Sequence, residues 1–168
     1  MAAAAPIEVD EEFRQIYAFR NPEIDAEVWF VALGAELGVH DGMRSFLEEH
    51  ENELRGAILI DLDALGAGDL TMIETEGVSD QVKVSSRLTR YARKASQASG
   101  VSIRSGSMNW TDSAAAYAMR HGIQAMHLVG MSGKKPARLG ELADTVENVS
   151  QDKLIENTNF VMEILKNI

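Results

Sequence analysis

Carboxylates at the ends of two apolar segments are the residues of this sequence whose types and spacing are suited to chemistry. Glu36 follows the apolar segment at 28–33 across a glycine, and Asp63 closes the largely apolar segment at 57–62 ahead of a glycine turn. A carboxylate at a strand end can accept a proton from water or bind a divalent cation. His40 is the histidine nearest to Glu36 in the sequence. These residue types are suited to proton transfer or metal binding.

Each acidic residue also has an ordinary structural interpretation. Glu36 fits a solvated carboxylate at a strand terminus, and Asp63 is a residue type that forms turns beside glycine. Asp112, later in the chain, fits the N-cap of the helix that it begins. His121 and His127 are typical of structural positions, because one ends a predicted helix and the other lies within a predicted strand. Residue types alone leave both interpretations open.

Length and composition predict one domain. The chain has 168 residues, of which 45% are hydrophobic, and a domain of this size buries roughly two thirds of its unfolded surface. We predict a flexible N-terminus at 1–10 and a single α/β domain at 11–168. The 26 acidic and 16 basic residues give a net charge of −10; this charge would repel phosphates, so no nucleic acid partner is expected. With no cysteine in the chain, any metal would be held by carboxylates and imidazoles.

The sequence shows no export or membrane segment. Residues 1–6 lack the positive charge and the apolar core of a signal peptide. No stretch approaches the ~18 apolar residues that cross a membrane. We therefore expect a soluble chain, and the sequence does not specify its compartment.

Apolar periodicity predicts the elements that must position these side chains. Helices are expected at 11–19, 43–54, 80–99, 112–121 and from 150 onward, and strands at 26–33, 57–63, 70–74, 101–104 and 123–129. Strands that alternate with helices of this length predict a layered α/β domain with a mostly parallel mixed sheet. Ligands of such sheets bind at the carboxyl ends of the strands, where Glu36, Asp63 and the loop after Val129 would share one site.

Four segments, in their order and spacing, resemble metallopeptidase family 28, which contains zinc aminopeptidases and glutaminyl cyclases. They are Gly34-Ala35-Glu36, residues 60–66, residues 110–112 with 122–123, and residues 143–149. The resemblance covers about residues 12–168. It implies a three-layer α/β sandwich of the phosphorylase/hydrolase-like type, truncated at the N-terminus relative to the family.

The resemblance assigns roles residue by residue. Glu36 matches the general base, Asp63 matches a zinc-binding aspartate, and Asp112 matches an acidic residue that holds the substrate's amino group in glutaminyl cyclases. Leu37 stands where the family has a second glutamate that binds zinc, and Gly140 stands where it has a histidine ligand. The resemblance therefore implies a metal site that has lost ligands.

The number of remaining donors decides what that site can bind. The family's histidine and aspartate pair has no counterpart upstream of Glu36, so one of five metal ligands, Asp63, is retained. Zinc sites use three or four protein donors, so a lone aspartate cannot hold zinc at useful affinity. His40 is the candidate replacement ligand. We expect a vestigial metal position at Asp63 and no cofactor in this chain, although the family's cofactor is zinc.

Three functional hypotheses follow. The favoured one is an aminopeptidase-like domain that is catalytically inactive and has a structural or protein-interaction role. The alternative is a segment of a zinc-dependent aminopeptidase whose remaining ligands lie outside this chain. The third is an acidic pocket of Glu36, Asp63 and Asp112 that binds a peptide amino terminus. Truncation relative to the family also predicts an exposed sheet edge, through which the chain would form a homo-oligomer.

Overall fold

An antiparallel pair of strands comes first in the structure. The computed structural model describes residues 16–19, 24, 26–34 and 40–168, and the flexible N-terminus predicted at 1–10 lies outside these ranges. Strand β1 (Ile16–Phe19) pairs with strand β2 (Val28–Val31). The helix predicted at 11–19 is therefore wrong for its last four residues. Ile, Tyr and Phe favour strands, and pairing with β2 overrides the helical spacing.

The remaining elements alternate between helix and strand along the chain. They are α1 (Asp41–Glu49), β3 (Ile58–Asp63), β4 (Asp69–Glu76), β5 (Val82–Lys83), α2 (Ser86–Ser99), β6 (Arg104–Met108), α3 (Ala114–Arg120), β7 (Gln124–Ser132), β8 (Lys135–Pro136) and α4 (Gln151–Leu165). A 3-10 turn at Val146–Asn148 precedes α4. No helix among the described residues combines the length and the hydropathy needed to span a membrane.

The main sheet is mixed. Strand β7 pairs in parallel with β3 and antiparallel with β4, and β4 pairs in parallel with β6. The central order is β3-β7-β4-β6, because residues 71–73 of β4 pair with β7 and with β6 at once. The short strands β5 and β8 extend β4 and β7. Strand β3 ends the sheet, and its outer edge pairs with no strand that the structure describes.

Two helical layers cover opposite faces of this sheet. Successive residues of a strand point to opposite faces. Accordingly, Met126 and Leu128 of β7 join an apolar cluster with α2 and α4, and Ala125 joins a second cluster with α1 and α3. The first cluster also contains Leu88, Ala92, Phe160 and Ile164, and the second Met43, Phe46, Ala115 and Ala118. The α/β fold and its three layers are confirmed.

Helix starts follow serine caps. The Ser150 side chain accepts a hydrogen bond from the backbone N of Lys153, which confirms the predicted start of α4. Helix α2 begins at Ser86, later than predicted, because Ser85 is its cap and residues 82–83 form β5. Helix α3 likewise begins after Ser113, whose side chain accepts from the backbone N of Ala116. The interpretation of Asp112 as that cap is wrong by one residue.

Candidate functional site

A cavity of about 1380 Å³ runs along the outer edge of β3. One part, which we call the polar end, lies where β3 and β7 meet the start of α3. Its polar lining residues are Asp61, Asp63, Thr111, Asp112, Ser113 and His127. The other part lies between β2 and β3 and is largely apolar. Polar groups at one end of an otherwise apolar cavity are typical of a ligand site.

Sheet register brings three ionisable side chains of the polar end together. Asp61 of β3 is paired in register with His127 of β7, and Asp63 lies two residues further along the same strand. Residues two apart in a strand point to the same face, so Asp61 and Asp63 both face the layer that contains α3. Asp61 Oδ2 accepts a hydrogen bond from the backbone N of Ala115, at 3.1 Å. The start of α3 therefore fixes the Asp61 carboxylate.

A buried hydrogen-bonded group lies behind the polar end. Glu76 and His127 are 1% and 3% exposed, and His127 Nδ1 lies 3.3 Å from Glu76 Oε2. Ser113 Oγ donates to the same Oε2 at 2.9 Å. Glu76 Oε1 and His127 Nε2 have no hydrogen-bond partner in the part of the chain that the structure describes. The group therefore ties the end of β4 to the start of α3. Glu76 Oε1 and His127 Nε2 remain available for further hydrogen bonds.

The sequence contained no clear signal for two members of this group. The predicted strand ended at 74, and Glu76 is a single glutamate shortly beyond it. Ser113 is one of several serines that precede a helix. Their link to His127 arises because β4 runs antiparallel to β7, which local periodicity does not reveal.

The neighbouring charges shift two pKa values at the polar end. Burial disfavours the imidazolium of His127, but the hydrogen bond to Glu76 and the charges of Asp61, Glu76 and Asp63 outweigh burial and raise its pKa. The pKa of Asp63 is also raised: the residue is exposed at its surface, but the surrounding protein partly shields its carboxyl from water and so disfavours the charged form. The nearby Asp61 adds to the rise, and His127 offsets part of it. The two shifts favour protons on both side chains.

Asp112 already has a partner within the protein. Arg120 Nη2 lies 2.8 Å from Asp112 Oδ1 and also donates to the backbone oxygen of Asp80 at 2.6 Å. Arg120 is eight residues away from Asp112, at the far end of α3. The resemblance assigned the Asp112 carboxylate to the amino group of a substrate. That amino group would have to compete with the Arg120 guanidinium.

The other predicted site residues lie around the same cavity or outside the described ranges. His40 lines the cavity, is buried, and has a left-handed backbone with φ of 52° at the start of α1. Its ring lies 6.1 Å from that of Tyr117. Gly140 follows Leu139, which lines the cavity. Glu36 and Leu37 lie outside the described residues, so the general base is assigned by resemblance alone.

The described residues do not fit a zinc centre. Across these ranges, no three histidine, aspartate or glutamate side chains are arranged so that they could hold a metal ion together. His127 Nδ1 is engaged with Glu76, and Asp61 is engaged with α3. Zinc requires at least three protein donors. The polar end is therefore a cluster of carboxylates and one imidazole that is hydrogen-bonded within the protein.

Solved structures with this fold include zinc aminopeptidases. The aminopeptidase from Aneurinibacillus sp. strain AM-1 matches with a TM-score of 0.64 and 22% identity over 84% of this chain and 33% of its own. A zinc aminopeptidase from Bacillus subtilis matches with a TM-score of 0.66 and 21% identity over 86% and 36%. The chain thus spans about a third of the length of these enzymes.

Nucleosidases share the fold as well. The 5'-methylthioadenosine/S-adenosyl homocysteine nucleosidase from Campylobacter jejuni matches with a TM-score of 0.66 and 15% identity over 99% of this chain and 90% of its own. No protein-family model matches the sequence, and neither does any curated protein sequence. At these identities the likeness shows the fold alone. The chain has an aminopeptidase-like fold that it shares with nucleosidases.

Proposed function

We propose that this chain is an aminopeptidase-like domain that does not itself hydrolyse peptides and has a structural or protein-interaction role. The observation that carries the proposal is that the ionisable groups at the polar end are hydrogen-bonded within the protein and do not form a set of metal donors. Asp61 bonds to α3, His127 to Glu76, and Asp112 to Arg120. These bonds fix the three side chains in place, and no three histidine, aspartate or glutamate side chains of the described residues are arranged to hold a metal ion together.

The apolar part of the cavity supports the interaction role. The whole cavity, at about 1380 Å³, is larger than the roughly 300–1,000 Å³ of a typical small-molecule pocket. Its apolar part borders the outer edge of β3. An unpaired strand edge beside exposed apolar surface is a site at which another polypeptide can pair. Phe30 and Leu62, which line the cavity, are 47% and 45% exposed.

Zinc binding and peptidase activity test the proposal together. The purified chain, incubated with zinc and freed of excess by gel filtration, should retain less than one zinc per chain. It should show no bestatin-sensitive cleavage of aminoacyl anilides. Asp63→Asn tests the retained ligand position, Glu36→Gln tests the position of the base, and Asp69→Asn is the control, because Asp69 is paired with Arg104 away from the cavity. Stoichiometric zinc with cleavage that Asp63→Asn abolishes would overturn the proposal.

An aminopeptidase segment completed by residues outside this chain is the alternative. The share of the aminopeptidases that the chain covers, about a third, is compatible with it. The segment would supply Asp63 as a ligand and Glu36 as the base, and it would need substitutes for the positions of Leu37 and Gly140. Co-expression with the missing part of a family member should therefore not produce bestatin-sensitive cleavage, and cleavage would favour this alternative.

Nucleoside hydrolysis is a second candidate function, favoured by a different observation. The nucleosidase match covers nearly all of both chains, unlike the aminopeptidase matches. Cleavage of a glycosidic bond needs a proton donor at the leaving base, and a carboxyl with a raised pKa, such as Asp63, has the required property. Release of adenine from 5'-methylthioadenosine, lost in Asp63→Asn and kept in Asp69→Asn, would establish this candidate against the non-catalytic role.

A further inference from the structure

Two strand edges that pair with no other strand among the described residues border the apolar part of the cavity. Residues 26–33 line it on one side and residues 53–63 on the other, each as an unbroken run. Because neighbouring side chains of a strand point to opposite faces, an unbroken run means that the backbone edge itself borders the space. Strand β2 has β1 on its other edge, and β3 has β7. We call this space the strand slot.

Both helical layers also reach the strand slot. Met43, Phe46 and Leu47 line it from the side of α1. Val161, Leu165 and Ile168 line it from the side of α4. Apolar side chains of both helical layers therefore line the same space. A strand placed there would have both of its faces covered.

We propose that the strand slot binds an extended apolar segment of a partner polypeptide, which pairs as a strand between β2 and β3. This inference rests on the interaction role proposed above and names the class of partner. Backbone hydrogen bonds to both free edges would supply affinity, and side chains on alternate faces would fill the spaces beside α1 and α4. A segment of about six residues would match the length of β3.

The slot's lining specifies the chemistry of that segment. A strand covered on both faces is apolar at successive positions and rich in valine, isoleucine and leucine. The charged residues along the cavity are mainly carboxylates: Glu27, Glu53, Asp61, Asp63 and Asp112, against Arg55 and Arg87. Asp61 and Asp63 lie together at the end of β3. The segment should therefore carry lysine or arginine at the end that meets this pair, and no carboxylate.

The chain's own sequence is a poor occupant. Residues 1–15 contain Pro6, which lacks a donor for a sheet ladder, and carboxylates at positions 8, 10, 11 and 12 that an acidic slot would repel. The apolar strand sequences at 28–31, 58–62 and 124–131 are already used in the two sheets. A second copy offers the same segments. These features favour a different polypeptide.

Peptide binding to the intact chain tests the inference. The probe is a fluorescein-labelled peptide of six β-branched residues followed by lysine, and anisotropy measures its affinity. Two control peptides carry proline at the centre or glutamate in place of the lysine, and both should bind at least about tenfold more weakly. Hydrogen exchange of the wild-type complex should show new protection in Val28–Val31 and Ile58–Asp63.

A matched pair of variants locates the site. Phe30→Glu places a carboxylate in the slot and should weaken binding of the lysine peptide by about tenfold or more. Leu142→Glu changes a fully exposed residue that does not line the cavity and should leave binding unchanged. Circular dichroism checks that Phe30→Glu is folded. If this variant does not fold, hydrogen exchange of the wild-type complex decides whether the peptide binds between β2 and β3.

The alternatives give different results. Protection of β2 and β3 that rises with protein concentration in the absence of peptide would assign the slot to a second copy. Protection that disappears when residues 1–15 are deleted would assign it to the chain itself, and either result overturns the inference. If no peptide protects β2 and β3 and no peptidase activity is found, the inference about the strand slot is wrong. The proposed non-catalytic role is then unaffected. Zinc-dependent cleavage overturns that role instead.

Discussion

Ser113 connects the start of α3 to a buried carboxylate. Its hydroxyl accepts from the backbone N of Ala116 and donates to Glu76. We predict that Ser113→Ala lowers the free energy of unfolding by about 2–4 kcal/mol, because a helix cap is worth about 1 kcal/mol and a hydrogen bond to a charged group about 1.5–3 kcal/mol. Urea denaturation measures the change.

Ser85→Ala is the matched control for Ser113. Ser85 caps α2 by accepting from the backbone N of Leu88 and lies at the start of a longer helix. Removal of its hydroxyl should cost about 1 kcal/mol. Equal losses in the two variants would mean that the contact between Ser113 and Glu76 adds nothing to stability.

The raised pKa of His127 predicts a pH dependence of stability. An unfolded histidine titrates near its ordinary pKa of 6.5. Because the folded pKa is higher, the stabilisation by protonated His127 is complete below the unfolded pKa and is lost as the pH rises through the folded pKa. The free energy of unfolding of the wild type should therefore fall above pH 6.5, and His127→Gln should remove this fall.

His121→Gln is the control for that titration. His121 is exposed and contacts the backbone oxygen of Tyr117, so its replacement should leave the fall with pH intact. Urea denaturation over a series of pH values measures both variants. The same pH dependence in His127→Gln and in the wild type would contradict the assignment.

The sequence revealed the polar end only in part, because its partners are distant along the chain. Local pattern correctly placed Asp63 at the carboxyl end of a strand, although that strand is half-buried and was predicted to be buried. Its proximity to His127 depends on the pairing of β3 with β7, and the contact between His127 and Glu76 spans 51 residues. The engagement of Asp112 by Arg120 depends on side-chain direction, which composition does not encode.

At the scale of elements, the turn after β3 packs closely against β7. A Cβ atom on Gly130 would lie 2.0 Å from the backbone oxygen of Ala67 and 2.2 Å from that of Ala64. Backbone atoms cannot move aside without shifting the turn that follows Asp63. We predict that Gly130→Ala costs about 1–3 kcal/mol, as overpacking of a core does, and that it displaces the carboxyl end of β3.

Gly106→Ala is the control in the same sheet. Its Cβ would meet side-chain atoms of Thr71 at 2.9 Å and Ile73 at 3.4 Å, and side chains adjust more easily than backbone. Thermal unfolding should show a smaller loss for Gly106→Ala than for Gly130→Ala. The opposite order would show that the turn does not depend on close contact with β7.

Element types were largely predictable, and element directions were not. Apolar runs identified the strands at 57–63 and 123–129, of which β7 is almost wholly buried and β3 is half-buried at the end of the sheet. The antiparallel direction of β4 and the strand at Ile16–Phe19 were not predicted, because both depend on pairing with residues distant along the chain. Local periodicity reports which face is apolar and gives no information on the direction of a neighbouring strand.

For the molecule as a whole, the outer edge of β3 is the surface through which we propose that the chain meets other chains. The sequence predicted an exposed edge and a homo-oligomer formed through it. The described residues show the unpaired edge, and the homo-oligomer stays a prediction. Because the edge faces a slot that also has β2 on its far side, a strand from another polypeptide fits it better than the same edge of a second copy.

Zinc-soaked crystals would show whether this aminopeptidase-like domain has a hydrolytic metal centre, which we propose that it lacks. Anomalous diffraction at the zinc edge would locate each bound ion. We expect no pair of well-occupied peaks at the polar end, because no three donor side chains of the described residues are arranged there to hold a metal ion. Two such peaks at about 2.0–2.2 Å from carboxylate oxygens of Asp63 and Glu36 would contradict it.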